Sequence, residues 1–145
     1  MMRAWTLPML FVLCGSVVGG GLVFGGKPVE AVVILAVFVL AAGINSPLVF
    51  PSSVASLEAV RRSSADGRPV VYWRPGCTYC LRLRFRLGRR VRQLHWVNIW
   101  RDAEGAAAVR AANDGNETVP TVVVAGRPYT NPDPAWVREQ LASFG

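Results

Sequence analysis

Residues 77–90 read "CTYCLRLRFRLGRR", and the conformation of this stretch decides the fold. Two cysteines stand two residues apart, followed by a strict alternation of Leu or Phe with Arg. Alternation of this kind is the mark of a half-buried strand. A cysteine pair at this spacing, however, does redox chemistry best at the start of a helix, where free amides and the helix dipole stabilise a thiolate. Helical geometry separates the two readings. At 100° per residue, Cys80, Leu83, Leu87, Val91 and Leu94 share one face, and Arg82, Arg86 and Arg89 share the opposite one. Arg84 alone falls among the apolar positions, where its long stem can reach to solvent. The continuation through Gly88-Arg89-Arg90-Val91 fits a strand poorly, so the stretch is expected to be a helix.

The neighbouring pattern agrees. "VVYW" (70–73) reads as a strand, "HWVNIW" (95–100) as a second, "TVVVA" (121–125) as a third and "RPYT" (127–130) as a fourth. Alanine-rich 102–113 reads as a helix capped by Asp102, and 133–145 as a final helix with an Asp cap and Pro134 at its first position. A helix at 77–90 makes the first half a βαβ unit with a right-handed crossover. A strand there leaves two parallel strands with no crossover.

The rest of the chain divides by solvent. The chain has 145 residues and a formal charge of +7. Residues 4–50 contain two charged side chains, Lys27 and Glu30, whereas 51–145 hold 14 Arg and 8 acids. The apolar runs 4–24 and 29–50, joined by "GGKP", are each about the 20 residues that span a hydrocarbon core. They are read as a transmembrane helical hairpin (1–50), followed by a linker (51–68) and a domain at 69–145. Within the linker, 54–62 is expected to form a short helix with Ser53 as N-cap. Gly15-x-x-x-Gly19 and Gly21-x-x-x-Gly25 place small residues on helix faces where backbones can approach.

Met1-Met2-Arg3 is a basic start of the signal-peptide kind, but the apolar run is too long for one and a second follows at once. Leu13 before Cys14 is not the small residue that a lipid-attachment cleavage site needs. Gly21-x-x-x-x-Gly26-Lys27 nearly spells a phosphate loop, but Pro28 replaces its Ser or Thr and no strand precedes it. Arg3, Arg61 and Arg62 place both termini of a two-pass protein, and the C-terminal domain, on the cytoplasmic side of the cell membrane. The basic balance then points to membrane lipid as a partner. No arginine–aromatic array of a nucleic-acid module stands out, so nucleic acid is not expected.

The chain has three cysteines, Cys14, Cys77 and Cys80. An odd count does not describe a disulfide-stapled scaffold and suits a reducing compartment with one catalytic pair. Helix N-termini and Cys-x-x-Cys spacing lower a cysteine pKa to roughly 3.5–7.5. Cys77, the more N-terminal, is expected to attack, helped by the positive potential of Arg74, and Cys80, tucked against the sheet, to resolve. A zinc site needs about four ligands, and Cys77, Cys80 and His95 fall one short, so no metal site is expected short of one shared across a dimer. A Cys–His hydrolase lacks an orienting partner.

"YWRPGCTYC" resembles the glutaredoxin active-site stretch, and "NETVPTVVVAG" resembles that family's Thr-Val-Pro segment before its third strand. Over residues 69–145 the likeness is closest to mycoredoxins, the actinobacterial glutaredoxin-like proteins, which have counterparts of "CLRL", "NDGNETVPT" and "YTNP". The resemblance implies a thioredoxin-like α/β fold, with a four-stranded mixed sheet and flanking helices. It implies a cis peptide bond before Pro120, opposite Cys77, and a Val119 backbone that pairs with an extended thiol substrate. Arg74, Tyr79, Thr118, Thr130 and Asn131 complete the implied substrate site. The family's double glycine is replaced by Thr130-Asn131-Pro132, which favours mycothiol over glutathione as the low-molecular-weight thiol co-substrate. No bound cofactor is implied. The expected function is that of a membrane-anchored thiol–disulfide oxidoreductase acting on disulfide-bearing proteins or mycothiol mixed disulfides. An iron–sulfur or metal-binding module sharing Cys77 across a dimer, and a non-catalytic membrane adaptor, are the readings from other classes.

Overall fold

The protein is described by a computed structural model covering residues 3–46, 49 and 52–143. The chain forms two compact units, Met1–Val49 and Phe50–Gly145.

The first unit consists of helices α1 (Arg3–Phe24) and α2 (Pro28–Ile44). Three residues join them, so the two helices must run antiparallel. Gly26 takes a left-handed φ of 75°, and Lys27 N–H reaches back to Leu22 C=O at 2.9 Å, a Schellman closure that satisfies the last carbonyls of α1. Pro28 then starts α2, where its missing N–H costs nothing. Of the two small-residue motifs, Gly15-x-x-x-Gly19 is the one at the helix contact. A Cβ on Gly15 would lie 2.6 Å from Phe38 Cβ, and one on Gly19 would lie 3.6 Å from Ala31 C=O. Gly21 faces open space, and Gly25 meets only carbonyls of its own helix.

Trp5–Phe24 is 20 residues long, with a mean hydropathy of 2.1, and is the one helix among the described residues long and apolar enough to cross a membrane. The second expected span, 29–50, is not realised as such. The helix α2 stops at Ile44 after 17 residues, about 25 Å at 1.5 Å per residue, short of a core about 30 Å thick. Asn45 ends it, its side-chain amide donating to Ala41 C=O at 2.9 Å. Pro47 follows two residues on and disfavours helix at the residue before it. Residues 47, 48 and 50 of the expected span lie outside the described residues. A two-pass arrangement is therefore not supported.

The second unit is built on the sheet order β2-β1-β3-β4, with β1 at Val70–Trp73, β2 at His95–Asn98, β3 at Thr121–Val124 and β4 at Arg127–Thr130. Strands β1 and β2 are parallel, with Val71 opposite Trp96. The β1–β3 and β3–β4 pairs are antiparallel, with Val71 opposite Val122 and Val122 opposite Tyr129. This is the four-stranded mixed sheet of a thioredoxin-like fold. The disputed stretch is helical: α4 covers Thr78–Leu87. Cys80, Leu83, Leu87, Val91 and Leu94 are all buried, as the helical face requires. The helix is shorter than its periodicity suggests, because Gly88 turns to a φ of 55° and a six-residue 3-10 helix, Gly88–Gln93, carries Val91 into the core instead.

Helices α3 (Ser56–Asp66), α5 (Ala103–Ala112) and α6 (Pro134–Ala142) complete the unit. The segment expected as a linker carries α3, which begins later than predicted, after Ala55 rather than Ser53. Ser53 has another use: its hydroxyl accepts the Trp73 indole N–H at 3.0 Å. Val54 N–H donates to Trp96 C=O at 2.9 Å, covering the outer edge of β2. Ala59 is fully buried, and Ser56 Oγ shares a hydrogen bond of 3.1 Å with Tyr72 OH.

Asp102 holds two helix starts at once. One carboxylate oxygen accepts Gly105 N–H at 2.6 Å, capping α5, and the other accepts Ser56 N–H at 2.9 Å, capping α3 across 46 residues of sequence. Replacing Asp102 by Ala removes both caps and is expected to destabilise the second unit by about 2 kcal/mol. Asp102→Asn, which keeps one acceptor, should cost less. Urea denaturation of the full chain in detergent, followed by tryptophan fluorescence, measures both; an unchanged midpoint for Asp102→Ala would contradict the double-cap assignment.

Candidate active site

The turn Arg74-Pro75-Gly76, with Gly76 at a φ of 78°, delivers the chain from β1 to the N-terminus of α4. Cys77 is the N-cap of that helix, one position earlier than the first-turn placement expected from sequence. Its backbone is extended (φ −84°, ψ 110°), and its sulfur accepts the Cys80 amide N–H at 3.2 Å. A sulfur here does what a serine or aspartate oxygen does at an ordinary N-cap. Cys80, one turn on, is completely buried.

The environment splits the two thiols. Cys77 is lowered to about 7, first by the hydrogen bond from the Cys80 thiol, then by the Cys80 amide, the Arg74 guanidinium and the Tyr79 amide; partial burial opposes these effects. Cys80 is pushed far up, first by burial and then by its hydrogen bond to Cys77 and repulsion from the Cys77 charge. At neutral pH the surroundings thus favour a thiolate at Cys77 and keep Cys80 a thiol that donates its proton in a hydrogen bond to Cys77, the ordering that a nucleophile and a resolving group need.

Opposite the sulfur lies Thr118-Val119-Pro120. The Val119–Pro120 bond is cis, and Val119 C=O stands 3.3 Å from Cys77 Sγ. Val119 N–H makes no hydrogen bond to any described residue. A polar network holds this loop in place. Thr118 C=O accepts from Thr121 Oγ1 at 2.7 Å, Thr121 Oγ1 accepts from Asn113 Nδ2 at 3.2 Å, and Thr130 Oγ1 donates to Asn113 Oδ1. Pro120 C=O accepts Asn131 N–H at 2.7 Å.

Of the expected substrate-site residues, Arg74 is half-buried beside the nucleophile, and Thr118, Val119 and Pro120 form the wall facing it. Tyr79 and Asn131 line a cleft of about 150 Å³ together with Arg82, Leu83, Pro132, Asp133 and Pro134. Thr130 is not among the lining residues, because its hydroxyl is turned to Asn113. Sequence reasoning missed Arg82 and Asp133 as cleft walls and Asn113 as a support. For Arg82 a signal existed, its placement on the polar face one turn after Tyr79. For Asn113 no local pattern points to a partner 17 residues away.

His95 Nε2 lies 2.9 Å from Asp66 Oδ2. No three His, Cys, Asp or Glu side chains converge as a metal site among the described residues. A groove of about 850 Å³ between α1 and α2 is lined by residues such as Met9, Leu13, Val39 and Gly43 and holds no titratable side chain.

Residues 70–128, from β1 into the start of β4, match the glutaredoxin family model. No curated protein and no solved structure matches the chain.

Two consequences for reactivity follow from the thiol pair. Alkylation of Cys77 by iodoacetamide should inflect near pH 7: slow below, where the sulfur is protonated, and level above. Cys80→Ala removes the strongest stabilising contact and should move the inflection up towards the ordinary thiol value of about 8.5. Site-resolved mass spectrometry, which separates Cys77 from Cys14, makes the measurement. An inflection for Cys77 near 8.5 in the unsubstituted protein would contradict the assignment.

Proposed function

We propose that this protein is a membrane-anchored thiol–disulfide oxidoreductase that reduces mixed disulfides of proteins with a low-molecular-weight thiol. The observation that carries the reading is the Cys77 sulfur at the N-terminus of α4, stabilised by the Cys80 amide and thiol and facing the cis-proline loop. The Cys77 thiolate attacks one sulfur of the substrate disulfide. The substrate S–S bond breaks, a Cys77–substrate disulfide forms, and the other half leaves as a thiolate that takes a proton from solvent. Cys80 then gives up its proton and attacks the Cys77 sulfur, releasing the second half as a thiol and leaving a Cys77–Cys80 disulfide. Two electrons have passed to the substrate. Two molecules of a low-molecular-weight thiol return them, becoming a disulfide. With small mixed disulfides a second thiol molecule can resolve the intermediate in place of Cys80.

Mycothiol is the thiol we assign, on the strength of the mycoredoxin-like motifs and of Thr130-Asn131-Pro132 in place of a double glycine. The apolar helix Trp5–Phe24 supplies the anchor. A cysteine pair reduced by a low-molecular-weight thiol suits a reducing compartment, which favours a catalytic domain on the cytoplasmic side.

The full chain in uncharged detergent should reduce a protein–mycothiol mixed disulfide with mycothiol as the electron source, and more slowly with glutathione. Cys77→Ser should fall to the uncatalysed rate. Cys80→Ser should keep turnover on the small mixed disulfide and lose it on an intramolecular protein disulfide. Full activity in Cys77→Ser would defeat the reading, and equal rates with both thiols would defeat the choice of mycothiol.

A further inference from the structure

From Arg82 to Arg92 the chain carries six arginines and no acid. Two of them, Arg82 and Arg86, stand one turn apart on α4 and, with Arg138 of α6, line a cleft of about 90 Å³ that also touches Asp133, Pro134 and Ala135. Arg82, Asp133 and Pro134 also line the Tyr79–Asn131 cleft. The two clefts share these walls and form one groove, whose first part also reaches Tyr79, two residues after Cys77.

The groove gathers three guanidiniums against one carboxylate, that of Asp133. Ion pairs among the described residues involve Arg61, Arg62, Arg68, His95 and Arg110, and none involves Arg82, Arg86 or Arg138. Arg138 Nη2 instead donates to Arg86 C=O at 3.2 Å, and Arg138 C=O accepts from Arg90 Nη1 at 3.2 Å. Asp133, the one acid in the groove wall, caps α6 through Ala135 N–H at 2.7 Å. Like charges one turn apart on a helix repel, and the C-terminal dipole of α4 offsets only roughly half an elementary charge. Three guanidiniums gathered in this way suit a partner that brings carboxylates, which they can bind in a forked, two-bond geometry.

Spacing identifies what kind of molecule carries those carboxylates. Arg82 and Arg86 lie five and nine residues beyond Cys77, about 8 and 14 Å along the helix axis at 1.5 Å per residue. An extended polypeptide advances about 3.3 Å per residue, so a chain whose cysteine is engaged by Cys77 lays its second to fourth neighbours over these arginines. A lipid headgroup in the same groove would block that chain instead of bringing a disulfide. The geometry points to an acidic polypeptide as the substrate of this site: a disulfide-bearing protein segment with Asp or Glu two to four residues from its reactive cysteine, held by Arg82, Arg86 and Arg138. This rests on the oxidoreductase reading and names its substrate class.

The test compares two mixed-disulfide peptides that are identical except for Glu or Gln two to four residues from the cysteine, placed on either side of it. The full chain is assayed in uncharged detergent, with 2-hydroxyethyl disulfide as an uncharged small substrate. In low salt the acidic peptide should be favoured roughly tenfold in kcat/KM, through KM, a difference that corresponds to one good charged contact. The preference should vanish at about 1 M salt, where the screening length is about 3 Å. Arg86→Gln with Arg138→Gln should abolish the preference and leave the rate on 2-hydroxyethyl disulfide unchanged; Arg86→Glu should reverse it. Equal turnover of both peptides by the unsubstituted protein overturns the inference while leaving the oxidoreductase reading intact. So does a preference that survives the double substitution, or one that arises only when anionic lipid is added, which would assign the arginines to headgroups. No reduction of any of the three substrates defeats the underlying reading itself.

Discussion

The N-terminus of α4 is capped by a sulfur atom, and the rest of the second unit is arranged so that this sulfur can hold a negative charge. Ordinary caps use a neutral hydroxyl or amide oxygen, or a carboxylate that is ionised in any case. A thiol that accepts the Cys80 N–H at 3.2 Å becomes a better acceptor when ionised. That gain depends on where the helix begins. The left-handed Gly76 sets the start by turning the chain directly out of β1, and the apolar face of α4 fixes its rotation by seating Cys80, Leu83 and Leu87 in the core. Cys80 is thus buried for packing, and the same burial keeps it protonated and able to donate to Cys77. One helix placement yields both halves of the thiol pair.

Much of this was legible because the decisive information is periodic. Leu83, Leu87, Val91 and Leu94 mark a helical face even though Leu81 to Leu87 also alternates as a strand would, and all four are buried. Asp102, Asp133 and Pro134 announce helix starts that the structure contains. What escaped the sequence depends on tertiary partners or on competition at element ends. Ser53 has the chemistry of an N-cap, but the Trp73 indole claims it, and the α3 cap arrives from Asp102. Gly88 ends α4 although the apolar spacing continues past it. The second apolar run is long by composition, yet its helix is ended by Asn45, a local stop that hydropathy averages over. The hydrogen bond from the Thr130 hydroxyl to Asn113 joins residues 17 apart in sequence, and no local pattern announces it.

The helix α4 is two-sided in a way that joins chemistry to recognition. Its inner face carries the buried Cys80 thiol, and its outer face carries guanidiniums. Because Cys80, Arg82 and Arg86 sit on the same helix, the spacing between the thiol pair and these two guanidiniums is set by helical geometry. The support under the facing loop is similarly rigid: Thr121, itself buried, holds Thr118 C=O, and Asn131 N–H holds Pro120 C=O. The reactive gap between Cys77 and Val119 is therefore defined from both sides by hydrogen-bonded backbone.

The position of α3 bears on how such a protein can be cut or recombined. The family match starts at Val70, yet Tyr72 and Trp73 of the first strand are hydrogen-bonded to Ser56 and Ser53, and the outer edge of β2 is closed by Val54. A fragment trimmed to the family boundary would leave an indole and a phenol searching for water and would lay bare a strand edge, an invitation to aggregate. A module cut out to carry the cysteine pair must begin ahead of Ser53, well upstream of where the family match starts.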